Sequence, residues 1–225
     1  MERHFDEELA TLKNDVLQMG ALVEEAIVRS LGALERLSKE EASSVIKDDA
    51  EADALELKID EECLDLLALR QPMAYDLRFI SMAMKITTDL ERMADLAVDI
   101  AERVIQLCGQ PLLKPLVDIP KLAALAQKMT KEAIDSSVKE DTNLAKAVIL
   151  LDQDADNLRD LVQTELVDDY IAKDPSTAKR AIPLILIARH LERICDHATN
   201  IAEDVIYMVK ARVVKHHAED LQNGN

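Results

Sequence analysis

Apolar positions near the N-terminus recur in steps of four and three: Phe5, Leu9, Leu12, Val16, Met19, Val23, Ala26, Ser30 with Leu31, Leu34 and Leu37. A heptad seam of this kind predicts one long helix lying nearly parallel to its neighbours. Ser38 begins a short break. A second helix is predicted from about Glu40 to Arg70, with Val45, Ala52, Leu55, Ile59, Cys63, Leu66 and Leu69 on its apolar side, and Pro72 stops it. A third is predicted from about Tyr75 to Leu107 through Leu77, Ile80, Met84, Leu90, Met93, Ala97, Ile100 and Val104. Gly109, Pro111, Pro115 and Pro120 then form the chain's one proline and glycine cluster, the natural boundary between two halves. Three more helices follow, from about Lys121 to Glu140, from Asn143 to Ala172, and from Pro175 or Thr177 to His216. The tail, Asp220 to Asn225, is expected to fray.

The two halves repeat each other. Leu90-Glu91-Arg92-Met93-Ala94-Asp95 matches Leu191-Glu192-Arg193-Ile194-Cys195-Asp196 at an offset of 101, and the match continues through Ile100-Ala101-Glu102 and Ile201-Ala202-Glu203. Upstream, Asp49 and Asp53 match Asp152 and Asp156 at an offset of 103. Helices one to three and four to six therefore read as two copies of one unit. The fold class is all-α: two tandem antiparallel three-helix bundles built from six long helices. The expected boundaries are residues 1–108 for the first bundle, 109–119 for a linker, 120–218 for the second bundle and 219–225 for a flexible tail.

Composition narrows the function. Only five aromatic rings occur (Phe5, Phe79, Tyr75, Tyr170 and Tyr207), fewer than an enzyme pocket or a base-stacking surface usually uses. The formal charge of −17 sets the chain against phosphate backbones, so no nucleic-acid partner is expected. Cys63, Cys108 and Cys195 are far apart, with no CxxC pair. They read as small buried apolar residues in a reducing, cytoplasmic setting. The longest apolar run, Ala181 to Ala188, is interrupted by Pro183 and is far shorter than the roughly 20 residues a membrane span needs. The N-terminus is acidic and polar, unlike a signal peptide. The expectation is a soluble protein with no direct membrane insertion. No phosphate-cradling glycine loop, metalloprotease helix or nucleophile elbow is present, and no catalytic residue is expected.

Candidate chemistry lies in the acids. Asp49/Asp53, Glu91/Asp95, Asp152/Asp156 and Glu192/Asp196 stand at i, i+4, and Asp99 and Asn200 extend two of these pairs by a turn. That spacing puts both side chains on one helical face, where like charges repel by a few tenths of a kcal/mol unless a cation lies between them. One such pair in a chain with 44 acids reads as a solvated face. Recurrence at equivalent places in both repeats, beside the apolar seam, reads instead as a metal-binding surface. Facing carboxylates suit hard cations such as Mg²⁺, Mn²⁺ or Ca²⁺, and also iron. His190, His197, His216 and His217 cluster near the last helix, but none follows a Glu by three residues, so the ligand pair of di-iron carboxylate bundles is missing. Arg92 and Arg193 recur and read as ion-pairing partners along the helix or as contacts to a partner protein.

The segments Leu69-Arg-Gln-Pro-Met-Ala-Tyr-Asp-Leu-Arg78, Asp89-Leu-Glu-Arg-Met-Ala-Asp-Leu-Ala-Val-Asp-Ile-Ala-Glu-Arg103 and His190-Leu-Glu-Arg-Ile-Cys-Asp-His-Ala-Thr-Asn-Ile-Ala-Glu203 resemble the signatures of the PhoU family. The similarity spans essentially the whole chain. Ala94 and Cys195 stand where the family often has Gly, and Asp99 where Asn is common. The resemblance implies two three-helix bundles, usually as a homodimer. It implies a negative regulator of the phosphate-starvation response and of phosphate uptake and homeostasis. Such a regulator links the high-affinity phosphate transporter, through its ATPase PstB, to the sensor histidine kinase PhoR. It also implies metal ions, sometimes multinuclear Fe or Zn clusters, on the repeated acidic motifs. Here these are Asp49 and Asp53 with Glu91, Asp95 and Asp99, and Asp152 and Asp156 with Glu192, Asp196 and Asn200. An accessory protein of a low-affinity phosphate permease, a metal-storing bundle and a purely structural coiled coil are the other readings.

Overall fold

In the computed structural model, which describes residues 2–213, the chain is helical nearly throughout. The first bundle holds α1 (Glu2–Arg36), α2 (Lys39–Asp48), α3 (Ala50–Arg70) and α4 (Ala74–Leu107). The second holds α5 (Asp118–Lys139), α6 (Thr142–Glu165) and α7 (Ala178–Lys210). α2 and α3 are the single second helix of the sequence reading, interrupted only at Asp49, whose backbone is still in the helical region (φ −57°, ψ −31°). The architecture is the expected one: six helices in two repeats.

The ends follow local chemistry. Ser38 caps α2 by accepting from the Glu41 amide at 3.2 Å, and Arg36 grips the Glu41 carboxylate with Nη2 at 2.7 Å. This is the Ser-x-x-Glu pattern of a helix start. Asp141 caps α6, accepting from the amides of Asn143 (2.9 Å) and Leu144 (3.1 Å). α3 ends with Gln71 left-handed (φ 51°) ahead of Pro72. α5 starts at Asp118, three residues earlier than the sequence suggests. Pro120 is tolerated there because a first-turn residue needs no backbone donor.

Two boundaries depart from expectation. The fifth helix does not run evenly to Ala172. After Glu165 it widens into a π-helical turn, Leu166–Ile171, followed by a 3₁₀ turn, Pro175–Thr177, that leads into α7. The last helix stops at Lys210, not His216. Ala211 is left-handed (φ 52°), and its amide bonds to the Tyr207 carbonyl as a helix terminus does. His216, His217 and the tail Asp220 to Asn225 lie outside the described residues.

The two bundles share one continuous core. The longest shared seam is between α4 and α7, and α1 lies against α5. α4 and α7 run antiparallel. Lys85 faces Asp204 at 3.5 Å, Asn200 reaches Asp89 at 3.4 Å, and Asp99 faces His190 at 3.6 Å. At the α1–α5 contact Gly20 meets Ile134 so closely that a Cβ at residue 20 would lie 3.0 Å from the Ile134 side chain. α2, α3 and α6 therefore flank the pair of bundles. Among the described residues no helix is long and apolar enough to cross a membrane.

Candidate functional site

The helical i, i+4 spacing and the antiparallel packing bring the acidic pairs together in two faces. On the first, Asp49 and Asp53 of the α2–α3 helix lie across from Glu91 and Asp95 of α4. Burial, then the charges of Asp53 and Asp95, push the Asp49 carboxyl up to about 6. Glu91 is raised by burial and by Asp95, Glu56 and Asp53. Glu56, one turn beyond Asp53, is raised by burial and by Asp60, Asp53 and Asp95. Five carboxylates thus share a common field. Their nearest cation is Arg92, 3.3 Å from both Glu91 and Asp95.

On the second face, Asp152 and Asp156 of α6 oppose Glu192 and Asp196 of α7. Burial raises Asp152, whose carboxylate accepts from the Thr199 hydroxyl at 3.1 Å. Burial and Asp196 push Glu192 up to about 6. Asp196 is raised by burial and by Asp152 and Asp156. Beneath them the fully buried Cys195 thiol is pushed far up, first by burial and then by Asp152 and its acidic neighbours. It is therefore held as an inert thiol. Cys63 is buried and raised to about 12 for the same first reason. Cys108 is half-buried, and its S–H reaches the Leu37 carbonyl at 3.3 Å.

Asp99 and Asn200 do not join these faces. Each points across the α4–α7 seam, Asp99 to His190 and Asn200 to Asp89. His197 donates to the same Asp89 carboxylate at 2.7 Å. Sequence reasoning missed Asp89, Glu56 and Arg159. For the last two a signal was present: the offset of 103 that pairs Asp49 with Asp152 also pairs Glu56 with Arg159.

As they stand, no three carboxylate, thiolate or imidazole groups among the described residues converge to hold a metal ion. The donor chemistry of the first face nevertheless fits a hard cation, being all carboxylate oxygen. Glu91 Oε2 is buried there, ion-paired with Arg92 Nε at 3.3 Å but without a hydrogen bond, a condition a bound cation would relieve.

The PhoU domain family model matches residues 16–104 and again 119–205, one match per bundle. The chain is 43% identical over 209 residues to the phosphate-specific transport system accessory protein PhoU homolog of Aquifex aeolicus, covering 93% of this chain and 94% of that one. It is 38% identical over 217 residues to the homolog of the same name from Pseudomonas aeruginosa, covering 96% and 89%. The crystal structure of PhoU from P. aeruginosa superposes with a TM-score of 0.89 at 38% identity, over 92% of this chain and all of that one. The phosphate transport system regulatory protein PhoU from Streptococcus pneumoniae superposes with a TM-score of 0.87 at 29% identity, over 94% and 99%. Two matched domains, relatives similar over nearly their whole length and a shared fold lead to one conclusion: this chain belongs to the PhoU family.

Proposed function

We propose that this chain is an accessory and regulatory protein of phosphate transport, not an enzyme, and a negative regulator of the phosphate-starvation response. It acts as a cytoplasmic homodimeric adaptor between the high-affinity transporter's ATPase subunit, PstB, and the sensor histidine kinase, PhoR. When phosphate is plentiful, it holds the two in a state that keeps the response off. The observation that carries this reading is the similarity over nearly full length to proteins named as phosphate transport accessory and regulatory proteins. Residues 1–108 and 120–218 serve as its two modules. The absence of any catalytic motif in the sequence fits an adaptor.

The reading includes a divalent or iron cation on the first acidic face, held by Asp49, Asp53, Glu91 and Asp95 with Glu56 alongside. Bound there, the ion supplies positive charge. The chain's own residues do the rest: they carry carboxylates on two helices whose mutual repulsion is lifted when neutralised, which ties α3 to α4 and fixes the outer surface offered to partners.

Binding tests the adaptor role. Purified protein, the ATPase subunit and the kinase's cytoplasmic portion are mixed pairwise with and without phosphate. Association with both partners, changed by phosphate, is expected. Association with neither under any phosphate condition contradicts the reading.

A further inference from the structure

The two repeats put opposite charges at one equivalent position. Glu56 adds a carboxylate to the first face, where it feels Asp53, Asp60 and Asp95. Arg159, its counterpart, adds a guanidinium to the second. Arg159 Nη2 lies 2.8 Å from Asp156 Oδ1 on its own helix and 3.5 Å from Glu192 Oε1 on α7, and Nε lies 3.3 Å from Asp160. The guanidinium therefore spans the same two helices whose acids form the second face. Its Nη2 donates to Asp156 and reaches Glu192 on the other helix, and its charge is permanent.

Arg92 on the first face is placed differently. It is 57% exposed and ion-pairs with Glu91 and Asp95 of its own helix, its charge also reaching Glu56 on α3, whereas Arg159 is 28% exposed and ion-pairs on both α6 and α7. Arg92 can swing into water and leave its carboxylates to another cation. Arg159 cannot leave without stranding Asp156 and Glu192 against Asp152 and Asp196.

We propose that Arg159 is the resident cation of the second acidic face, so that divalent-cation binding by this chain is confined to the first. The inference rests on the metal reading of the first face given above. It departs from the expectation that Asp152, Asp156, Glu192 and Asp196 form a second, equivalent metal set. A metal ion approaching them meets a fixed positive charge already paired with Asp156 and Glu192, two of the four carboxylates.

The test is Mn²⁺ titration of the full-length protein, with free Mn²⁺ read by electron paramagnetic resonance. Wild type is compared with Asp53→Asn, Arg159→Glu and the reciprocal Glu56→Arg, each checked for helicity by circular dichroism. Wild type is expected to show one class of site, weakened at least tenfold by Asp53→Asn and by Glu56→Arg. Arg159→Glu is expected to gain a second class. Should Arg159→Glu fail to fold, the loss in Glu56→Arg carries the test from the other repeat. Two equal classes in wild type overturn the inference. So does wild-type binding that is lost in Asp53→Asn but unchanged in both charge swaps, an outcome that leaves the metal reading standing. No Mn²⁺ binding by any of the proteins overturns both.

Discussion

Asp99 on α4 faces His190 on α7 at 3.6 Å, and the residues at the exchanged positions of the two repeats, Asp89 and Asn200, face each other at 3.4 Å. The offset that equates Asp89 with His190 equates Asp99 with Asn200, so the two contacts are one contact related by the internal symmetry of the repeat. α4 and α7 thus meet as equivalent helices across a pseudo-two-fold axis. The polar pairs fix the register of the seam between two helices whose Leu90, Ile100, Leu191 and Ile201 are fully buried. The acidic faces are carried on the other side of the same helices, toward α3 and α6.

Asp89 is the hub of that seam, accepting from both His197 and Asn200. Asp89→Ala leaves two half-buried donors without their partner, at a cost of about 1–3 kcal/mol. For a chain of this size that lowers Tm by roughly 2–4 °C per kcal/mol. Thermal unfolding followed by circular dichroism measures it, and an unchanged Tm contradicts the role.

Asp141 holds the first turn of α6, the helix that carries Asp152, Asp156 and Arg159. Asp141→Ala removes an acceptor for two amides and is expected to destabilise by about 1 kcal/mol. Asp141→Asn retains a capping oxygen and should recover most of the loss in a urea melt. Equal losses for the two variants count against the cap.

Gly20 lets α1 approach α5. Gly20→Val forces its methyl groups into Ile134, whose side chain already lies 3.0 Å from an added Cβ, and is expected to cost about 1–3 kcal/mol. Adding Ile134→Ala opens space at that point. The double variant should be less destabilised than the sum of the singles, and strict additivity speaks against the contact.

The second face makes stability depend on pH in a direction opposite to that of most carboxylates. Glu192 is raised to about 6 by burial and by Asp196, so the folded protein holds its proton more tightly than the unfolded chain does. Its contribution is fully present below the unfolded carboxyl value of about 4 and is lost as pH rises through about 6. His190, lowered first by burial, acts in the other sense, losing stability as pH falls. The Glu192 part is isolated by comparing wild type with Glu192→Gln in urea melts between pH 4 and 7. The stability difference should shift against wild type as pH rises. A constant difference contradicts the assignment.

The apolar spacing made the six helices legible because each has one face to bury and few breakers inside it. Leu12, Met19 and Val23 of the first seam are fully buried, as are Ile59 and Cys63 of the second helix. The four acidic pairs were legible as pairs because i, i+4 is a property of the helix itself. What escaped depends on geometry between helices or on backbone detail. Asp49 interrupts its helix with a backbone still in the helical region, the π turn after Glu165 carries no breaker residue, and α7 ends at an alanine, which ordinarily favours helix. Asp99 and Asn200 looked like a third turn of the acidic motifs. Along a 3.6-residue helix each further step of four drifts around the surface, and here that drift turns them to the α4–α7 seam.

The most direct test of the regulatory role is alkaline phosphatase activity in phosphate-rich medium, comparing the parent strain, a strain lacking this gene and the same strain with the gene restored. The account predicts high activity in the deletion strain and return to the parental level on restoration. Low activity in all three contradicts the negative-regulator role and turns the reading toward an accessory of a phosphate permease.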